Sequence, residues 1–286
     1  MEEIINKLKF SCIKIAHLIK NTSSKSLSQE HNHTNNSNEI VKYLDLHANE
    51  ILKKELSTLS QIYSISSEEE ASEIILNPKG LYLVAFDPLD GSSNIDCNAT
   101  IGTIFGIYTK SPYNQPAKNH IVASGYCLYG SSTQFVSSYQ SYKGIKIEQL
   151  INKNWETTHH NYLIPNKGKY YSGNLSNLSK WSSQITSIIH YLNNRNYGLR
   201  YIGSLVGDGH RTIIKGGVFM YPSDISNPNG KLRQYYEVVP FSYLFEKGGG
   251  MALNDNFKSI LDELLSEDMH YRRPLILSSS QDLPAH

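Results

Sequence analysis

Residues 84–96 read VAFDPLDGSSNID. The apolar run Leu83, Val84, Ala85, Phe86 stops at Asp87, and a second carboxylate, Asp90, follows across Pro88 and Leu89. Gly91, Ser92, Ser93 and Asn94 come next. A strand ending this way delivers two acids to the carboxyl end of a sheet, where open sheets bind ligands. Carboxylate oxygens suit Mg²⁺, a hard cation that keeps some of its waters. Pro88 fixes the backbone between the acids. Gly91–Ser92–Ser93 can turn into a helix start, whose unpaired N–H groups suit a phosphate. The same text also fits an Asp-rich turn with a serine helix cap.

Two further segments carry charge at suggestive places. Ser67-Glu68-Glu69-Glu70 directly follows the β-like segment IYSIS. Read alone, an acidic run is a solvated face. Two neighbouring strands that both end in carboxylates can instead converge on a di-metal centre, which activates water and stabilises both oxygens of a displacement at phosphorus. Paired carboxylates also tune one of their number toward base catalysis. Asn227-Pro228-Asn229-Gly230-Lys231-Leu232-Arg233 is a turn that presents Lys231 and Arg233 on one side of an extended segment. Two cations so placed suit a phosphate, and they equally suit an ordinary basic surface turn.

The elements that must position these residues mix helices and strands without strict alternation, which points to layered α/β or α+β structure and away from a barrel. Apolar spacing places an amphipathic helix over 2–20 and a second over 39–59, with Asp45 beside its core positions. Between them, 21–38 holds almost no apolar side chain and reads as a mobile loop, with His31 and His33 as solvated loop histidines. Strands follow at 62–65, 81–86 and 103–108, and a hairpin pair at 121–128 and 133–136. Later come a helix at 178–193, a strand near Tyr201, helices at 207–215 and 235–247, and strands at 218–221 and 274–277. A turn-rich break at 165–172 divides the chain into 1–170 and 171–286.

Bulk properties narrow the classes. The chain has 286 residues, 39% hydrophobic and 19% charged, with a net charge of +1. That is a soluble globular composition with no pull toward nucleic acid or an acidic membrane. No window approaches the about 20 apolar residues of a membrane span. The three cysteines, Cys12, Cys97 and Cys127, show no metal or disulfide spacing and fit a reducing cytoplasm.

Taken together, FDPLDGSSNIDCNATIGTIFGIY (86–108), SEEE (67–70), LDLHANE (44–50), RYIGSLVGDGHRT (200–212), GGVFMYP (216–222) and NGKLRQYYEVVPFSYLFEKGGG (229–250) resemble class I fructose-1,6-bisphosphatase. That family belongs to the lithium-sensitive, Mg²⁺-dependent sugar phosphatases. The resemblance runs in order from about residue 39 to 278. It implies a layered αβαβα sandwich in a cytoplasmic homotetramer. It also implies hydrolysis of fructose 1,6-bisphosphate to fructose 6-phosphate and phosphate. Sedoheptulose 1,7-bisphosphate is the alternative or second substrate, and a catalytically silent sugar-phosphate sensor is the reading from another class.

Residue by residue, the resemblance implies Glu68, Asp87, Asp90, Glu237 and the Leu89 carbonyl as ligands of two or more Mg²⁺ ions, with Mn²⁺ an equivalent choice. Glu39 completes the metal site from the end of a mobile loop. Asp45 and Glu69 are the implied pair that takes the proton from attacking water. Gly91, Ser92 and Ser93 offer backbone N–H groups to the reacting phosphate, with Asn94 and Asp96 supporting the loop. Asn174, Tyr201, Tyr221 and Lys231 hold the distal phosphate, and Arg200 reaches it from a neighbouring subunit. Lys231, Gly203 and Ser204 approach the sugar, and Arg233 the 1-phosphate. Asn177 stands where some members carry Tyr. At the family's AMP site the chain begins at the first helix, without the preceding turn. Leu81 replaces a Lys there and Thr109 an Arg, while Tyr82 remains. Weak or absent AMP inhibition is the expectation.

Overall fold

The structure, a computed structural model, describes residues 1–34 and 40–284. Helix α1 (Glu2–Asn21) buries Ile4, Leu8, Cys12 and Ile15, which recur at helical spacing, and it starts with Glu2 and Glu3 where the helix dipole favours acids. After it come a single turn, α2 (Ser24–Leu27), and an antiparallel pair, β1 (Glu30–Thr34) and β2 (Ile40–Lys42). This corrects the reading of 21–38 as loop throughout. Local backbone pairing, which needs no apolar pattern, orders the described part of it. Helix α3 (Tyr43–Leu56) begins later than residue 39, because Lys42 is an extended N-cap whose N–H donates to the Asp45 carboxylate (2.8 Å).

Next come β3 (Ile62–Ser67), β4 (Ile74–Ile75), β5 (Tyr82–Asp90), β6 (Ile101–Thr109), β7 (Ile121–Tyr129), β8 (Thr133–Tyr139), β9 (Ile145–Ile151) and β10 (Asn154–Tyr162). They form an eight-stranded sheet in the order β10-β9-β8-β7-β6-β5-β3-β4. Every neighbouring pair in it is antiparallel except β3 and β5, which run parallel. Parallel neighbours end on the same side, so β3 and β5 deliver their C-terminal residues to one place.

The rest of the chain builds a second sheet. It comprises β11 (Tyr170–Ser172), helix α4 (Ser183–Asn193), β12 (Gly198–Leu199), α5 (Leu205–Lys215), β13 (Val218–Tyr221), β14 (Leu232–Arg233), α6 (Val239–Lys247), β15 (Met251–Leu253), β16 (Arg272–Arg273) and β17 (Leu275–Ser278). The five-stranded order is β12-β11-β13-β17-β15, and β14 pairs with β16. The strand expected near Tyr201 ends at Leu199. The helix expected over 235–247 is a π-helical turn, Gln234–Val238, running into α6.

Alternation along the strands sorts side chains into layers. Val84 and Phe86 face α1 and α3, whereas Leu83 and Ala85 face α5 and α6. Phe219, Leu275 and Leu277 meet α5 and α6 from the second sheet, and Val218, Met220 and Ile276 pack under α4. The result is an αβαβα stack. Its central core joins residues from both halves of the chain.

A partly buried histidine borders that core. His210 on α5 meets the Tyr126 hydroxyl through Nδ1 at 2.7 Å, and Tyr126 stacks on Phe241 at 5.0 Å. Burial, with Arg211 adding to it, lowers the His210 pKa to about 4. Between pH 6.5 and 4 the unfolded chain therefore binds a proton that the folded chain refuses, so stability falls as pH falls through that window. In urea titrations His210→Gln is expected to remove up to about 3 kcal/mol of the pH-dependent loss between pH 7 and 4. Parallel pH profiles for variant and wild type would contradict it.

Candidate active site at the end of the parallel strand pair

In a regular strand Asp87 and Asp90 would point to opposite faces, because their offset is odd. Here the pairing of β5 with β6 shifts register between them, from Asp87 opposite Ile104 to Asp90 opposite Gly102. This bulge at Pro88-Leu89 re-aims the second acid to the side of the first. Thr103 Oγ1 donates to the Pro88 carbonyl at 2.8 Å, and the Leu89 N–H donates to Asp87 Oδ1 at 2.9 Å. Asp90 in turn accepts from Ser204 Oγ (3.0 Å) and the Val206 N–H (2.8 Å) at the start of α5.

The third acid comes from the other half of the chain. Glu237 lies in the π-helical turn, a form that recurs at functional sites. Its Oε2 accepts from the Arg233 N–H at 2.6 Å. Carboxylate oxygens of Asp87, Asp90 and Glu237 all lie within 4.8 Å of one another. Glu68 follows β3 beside them, its N–H donating to the Phe86 carbonyl (3.2 Å) and its Oε1 paired with Arg233 Nη2 at 2.9 Å.

This crowding is electrostatically costly. Burial, then Glu68, Asp90 and Glu237, push the Asp87 carboxyl well above the usual carboxylate range. Burial lifts Asp90 to about 6 against its hydrogen bonds from Val206 and Ser204. Burial and Glu68 lift Glu237 to about 8 despite Arg233. A hard, oxygen-rich and mutually repelling donor set is what a divalent cation such as Mg²⁺ fits.

These residues line a cavity of about 730 Å³. The turn after β5 borders it with Gly91, Ser92 and Ser93. Gly91 has φ of 81°, and a Cβ there would stand 2.6 Å from that of Ser204, so only glycine lets the two loops meet. Asn94 is buried behind the turn, donating to the carbonyls of Thr100 (3.0 Å) and Ile202 (3.3 Å). Tyr201, Gly203, Ser204, Tyr221, Lys231 and Arg233 also line the cavity, as do Leu89 and Asp96.

Other expected residues lie elsewhere. Asp45 and Glu69 are not among the described residues lining the cavity. Asp45 is buried at the first turn of α3, and Glu69 follows β3 with its N–H on Ser67 Oγ at 3.3 Å. The Asn174 side chain caps its own turn, accepting from Ser176 Oγ at 2.6 Å. Arg200 lies over the Tyr170 ring at 5.0 Å, in a crevice shared with Arg211. Glu39 falls outside the described residues.

The sequence reading missed three supports. Lys42 lines the cavity and donates to the Ser92 carbonyl (3.0 Å) and to Asp96 (3.3 Å). Asp208, fully buried, accepts from the N–H groups of Ile202 and Gly203 and pairs with Arg211, holding the Tyr201–Ser204 turn. Arg272 also lines the cavity and donates to the Lys231 carbonyl at 2.8 Å. Lys42 was the most accessible of these from sequence, as the N-cap position three residues before the capping-box aspartate, Asp45.

If repulsion among the buried acids is relieved by a cation, added Mg²⁺ raises the melting temperature of the metal-stripped protein. Asp87→Asn keeps an acceptor for the Leu89 N–H but removes one charge. It is expected to melt at or above wild type without metal and to lose most of the Mg²⁺ shift. Equal Mg²⁺ shifts in both proteins, read by scanning calorimetry, would contradict this account.

Comparison with known proteins agrees over most of the chain. The family model "Fructose-1-6-bisphosphatase, N-terminal domain" matches residues 1–153, and the corresponding C-terminal-domain model matches 164–285. A cytosolic fructose-1,6-bisphosphatase of Spinacia oleracea is 41% identical over 266 residues, 87% of this chain and 77% of the relative. Its Arabidopsis thaliana counterpart is 39% identical over 265 residues, with the same coverages. A crystal structure of Leishmania major fructose-1,6-bisphosphatase in holo form superposes with a TM-score of 0.91 at 32% identity, covering 98% of this chain and 91% of that one. By sequence and by fold, the chain belongs to the fructose-1,6-bisphosphatase family.

Proposed function

We propose that the cavity at the end of β3 and β5 is where fructose 1,6-bisphosphate loses its 1-phosphate, with Mg²⁺ or Mn²⁺ bound by the acids. Hydrolysis of that substrate to fructose 6-phosphate and inorganic phosphate is the activity of the family to which the chain belongs. The observation that carries the assignment is the convergence of Asp87, Asp90 and Glu237 within 4.8 Å in a cavity that Lys231 and Arg233 also line.

Glu68, Asp87, Asp90, Glu237 and the Leu89 carbonyl are the proposed cation ligands, with Glu39 joining them. Such cations polarise phosphate oxygens and lower the pKa of water. Asp45 and Glu69 take the proton of the attacking water. Backbone N–H groups of Gly91, Ser92 and Ser93 orient the reacting phosphate, as oriented amides at a turn do for anions. Tyr201, Tyr221 and Lys231, with Asn174, hold the distal phosphate. Gly203 and Ser204 contact the sugar, and Arg233 balances charge beside Glu68. Residues 1–170 thus supply most of the cation and reacting-phosphate side, and 171–286 the sugar side together with Glu237 and Arg233.

A homotetramer in which Arg200 serves a neighbouring site is the proposed assembly. The cytosolic names of the relatives support a cytoplasmic location. No described helix is long and apolar enough to cross a membrane.

The test is phosphate release by the purified protein from fructose 1,6-bisphosphate, sedoheptulose 1,7-bisphosphate and inositol phosphate, with Mg²⁺ and with excess EDTA. Release from the fructose substrate that EDTA abolishes and that Glu69→Gln lowers by at least about 100-fold is expected, within the range for acid–base groups. Faster release from the seven-carbon substrate would reassign the preference. Binding without release from any of them would favour the sensor reading.

The same assay addresses AMP. Leu81 is 62% exposed and Thr109 Oγ1 meets His120 Nδ1 at 2.5 Å, so neither offers a cation. Beside Tyr82, a cavity of about 660 Å³ contains Lys9 and Lys146, but both contact Glu148, at 2.5 and 2.9 Å. Full activity at micromolar AMP is the expected result, and half-inhibition there would contradict it.

A further inference from the structure

Helix α3 presents Asp45, Asn49 and Lys53 on successive turns, four residues apart, so they form one stripe. The loop carrying Glu69 is fastened to that stripe. Asn49 is 3% exposed, and both ends of its amide are used. Its Oδ1 accepts from Ser67 Oγ at 2.7 Å, and its Nδ2 donates to Glu70 Oε1 at 2.8 Å. Lys53 donates to the same Glu70 oxygen at 2.6 Å. Ser67 Oγ, so held, accepts the Glu69 N–H. The residues before and after the Glu68-Glu69 pair are therefore both bound to α3 through a single asparagine.

The other side of the loop is held from the second half of the chain. His270 Nε2 donates to the Glu70 carbonyl at 2.9 Å, which fixes that nitrogen as the protonated one. The Tyr236 hydroxyl meets Ser66 Oγ at 3.0 Å. Tyr236 immediately precedes Glu237, so one clamp ties the Glu68-Glu69 loop to both α3 and the turn bearing Glu237.

We infer that Asn49 and Glu70 are positioning residues that hold Glu69 in register with Asp45 on the face of α3. This rests on the reading of Asp45 and Glu69 as the pair that takes the proton from water. The bracket touches no substrate. It acts by fixing where the Glu69 backbone leaves β3, and a displacement near 1 Å in such a group can cost about 100-fold in rate.

Polarity exchange tests it. Asn49→Asp alone sets two carboxylates face to face and pushes the loop away. Asn49→Asp with Glu70→Gln restores the contact, because the glutamine amide then donates to Asp where Asn had donated to Glu. The single variant is expected to lose about 30- to 100-fold in kcat with KM within about threefold, and the double variant to regain most of it. In metal-free protein, hydrogen exchange at the amides of residues 66–70 should quicken in the single variant and slow again in the double. Should Asn49→Asp fail to fold, Glu70→Ala gives the same readings, a kcat loss with KM held and faster exchange over 66–70.

Full kcat in these variants, a double as slow as the single, or a loss confined to KM would overturn the bracket, provided Glu69→Gln is inactive. Turnover retained in Glu69→Gln would instead overturn the proton-accepting pair, and the bracket with it.

Discussion

Three buried carboxylates held within 4.8 Å of one another are the constraint around which this molecule is arranged. Like charges at that spacing in a poorly solvated place repel strongly, and each raises the others' proton affinity. Their neighbours offset this only in part. Arg233 pairs with Glu68, and the start of α5 donates to Asp90. Partial compensation leaves an oxygen donor set that a small divalent cation fits, and such a cation would convert the electrostatic cost into a binding site.

The fold makes that crowding geometrically possible. A parallel pair inside an otherwise antiparallel sheet brings the ends of β3 and β5 side by side. The bulge at Pro88-Leu89 puts two acids of one strand on one side. A π-helical turn brings Glu237 across from the second half, and the shared central core fixes the two halves against each other. Rigidity matters here because close-packed layers of side chains resist the expansion that repulsion would drive. The same rigidity sets the cavity-lining residues Tyr221 and Lys231 relative to the acids.

Much of this was legible in the chain because the signals are local. Leu83–Phe86 running into Asp87, Glu68 after IYSIS, and Lys231 and Arg233 around Leu232 are strand ends and turns that residue type announces. What depended on non-local geometry was not legible. The register shift between Asp87 and Asp90 arises from pairing with β6. The π-helical turn that carries Glu237 runs straight into α6 and has no local residue signal. Strand β10, sequence NWETTHHNY, is an exposed edge with no apolar alternation to mark it. The hairpin partner β1 is equally polar. Asn49 and Glu70 read as unremarkable helix and loop residues until the stripe on α3 meets the loop after β3. Asn174 and Arg200, expected at the distal phosphate, point to capping and surface contacts within one chain.

The most direct measurement is the anomalous difference map of crystals grown with Mn²⁺. Manganese peaks about 2.0–2.3 Å from carboxylate oxygens of Asp87, Asp90 and Glu237 are the predicted result. A crystal that hydrolyses fructose 1,6-bisphosphate yet shows no manganese beside these acids would contradict the account at its centre.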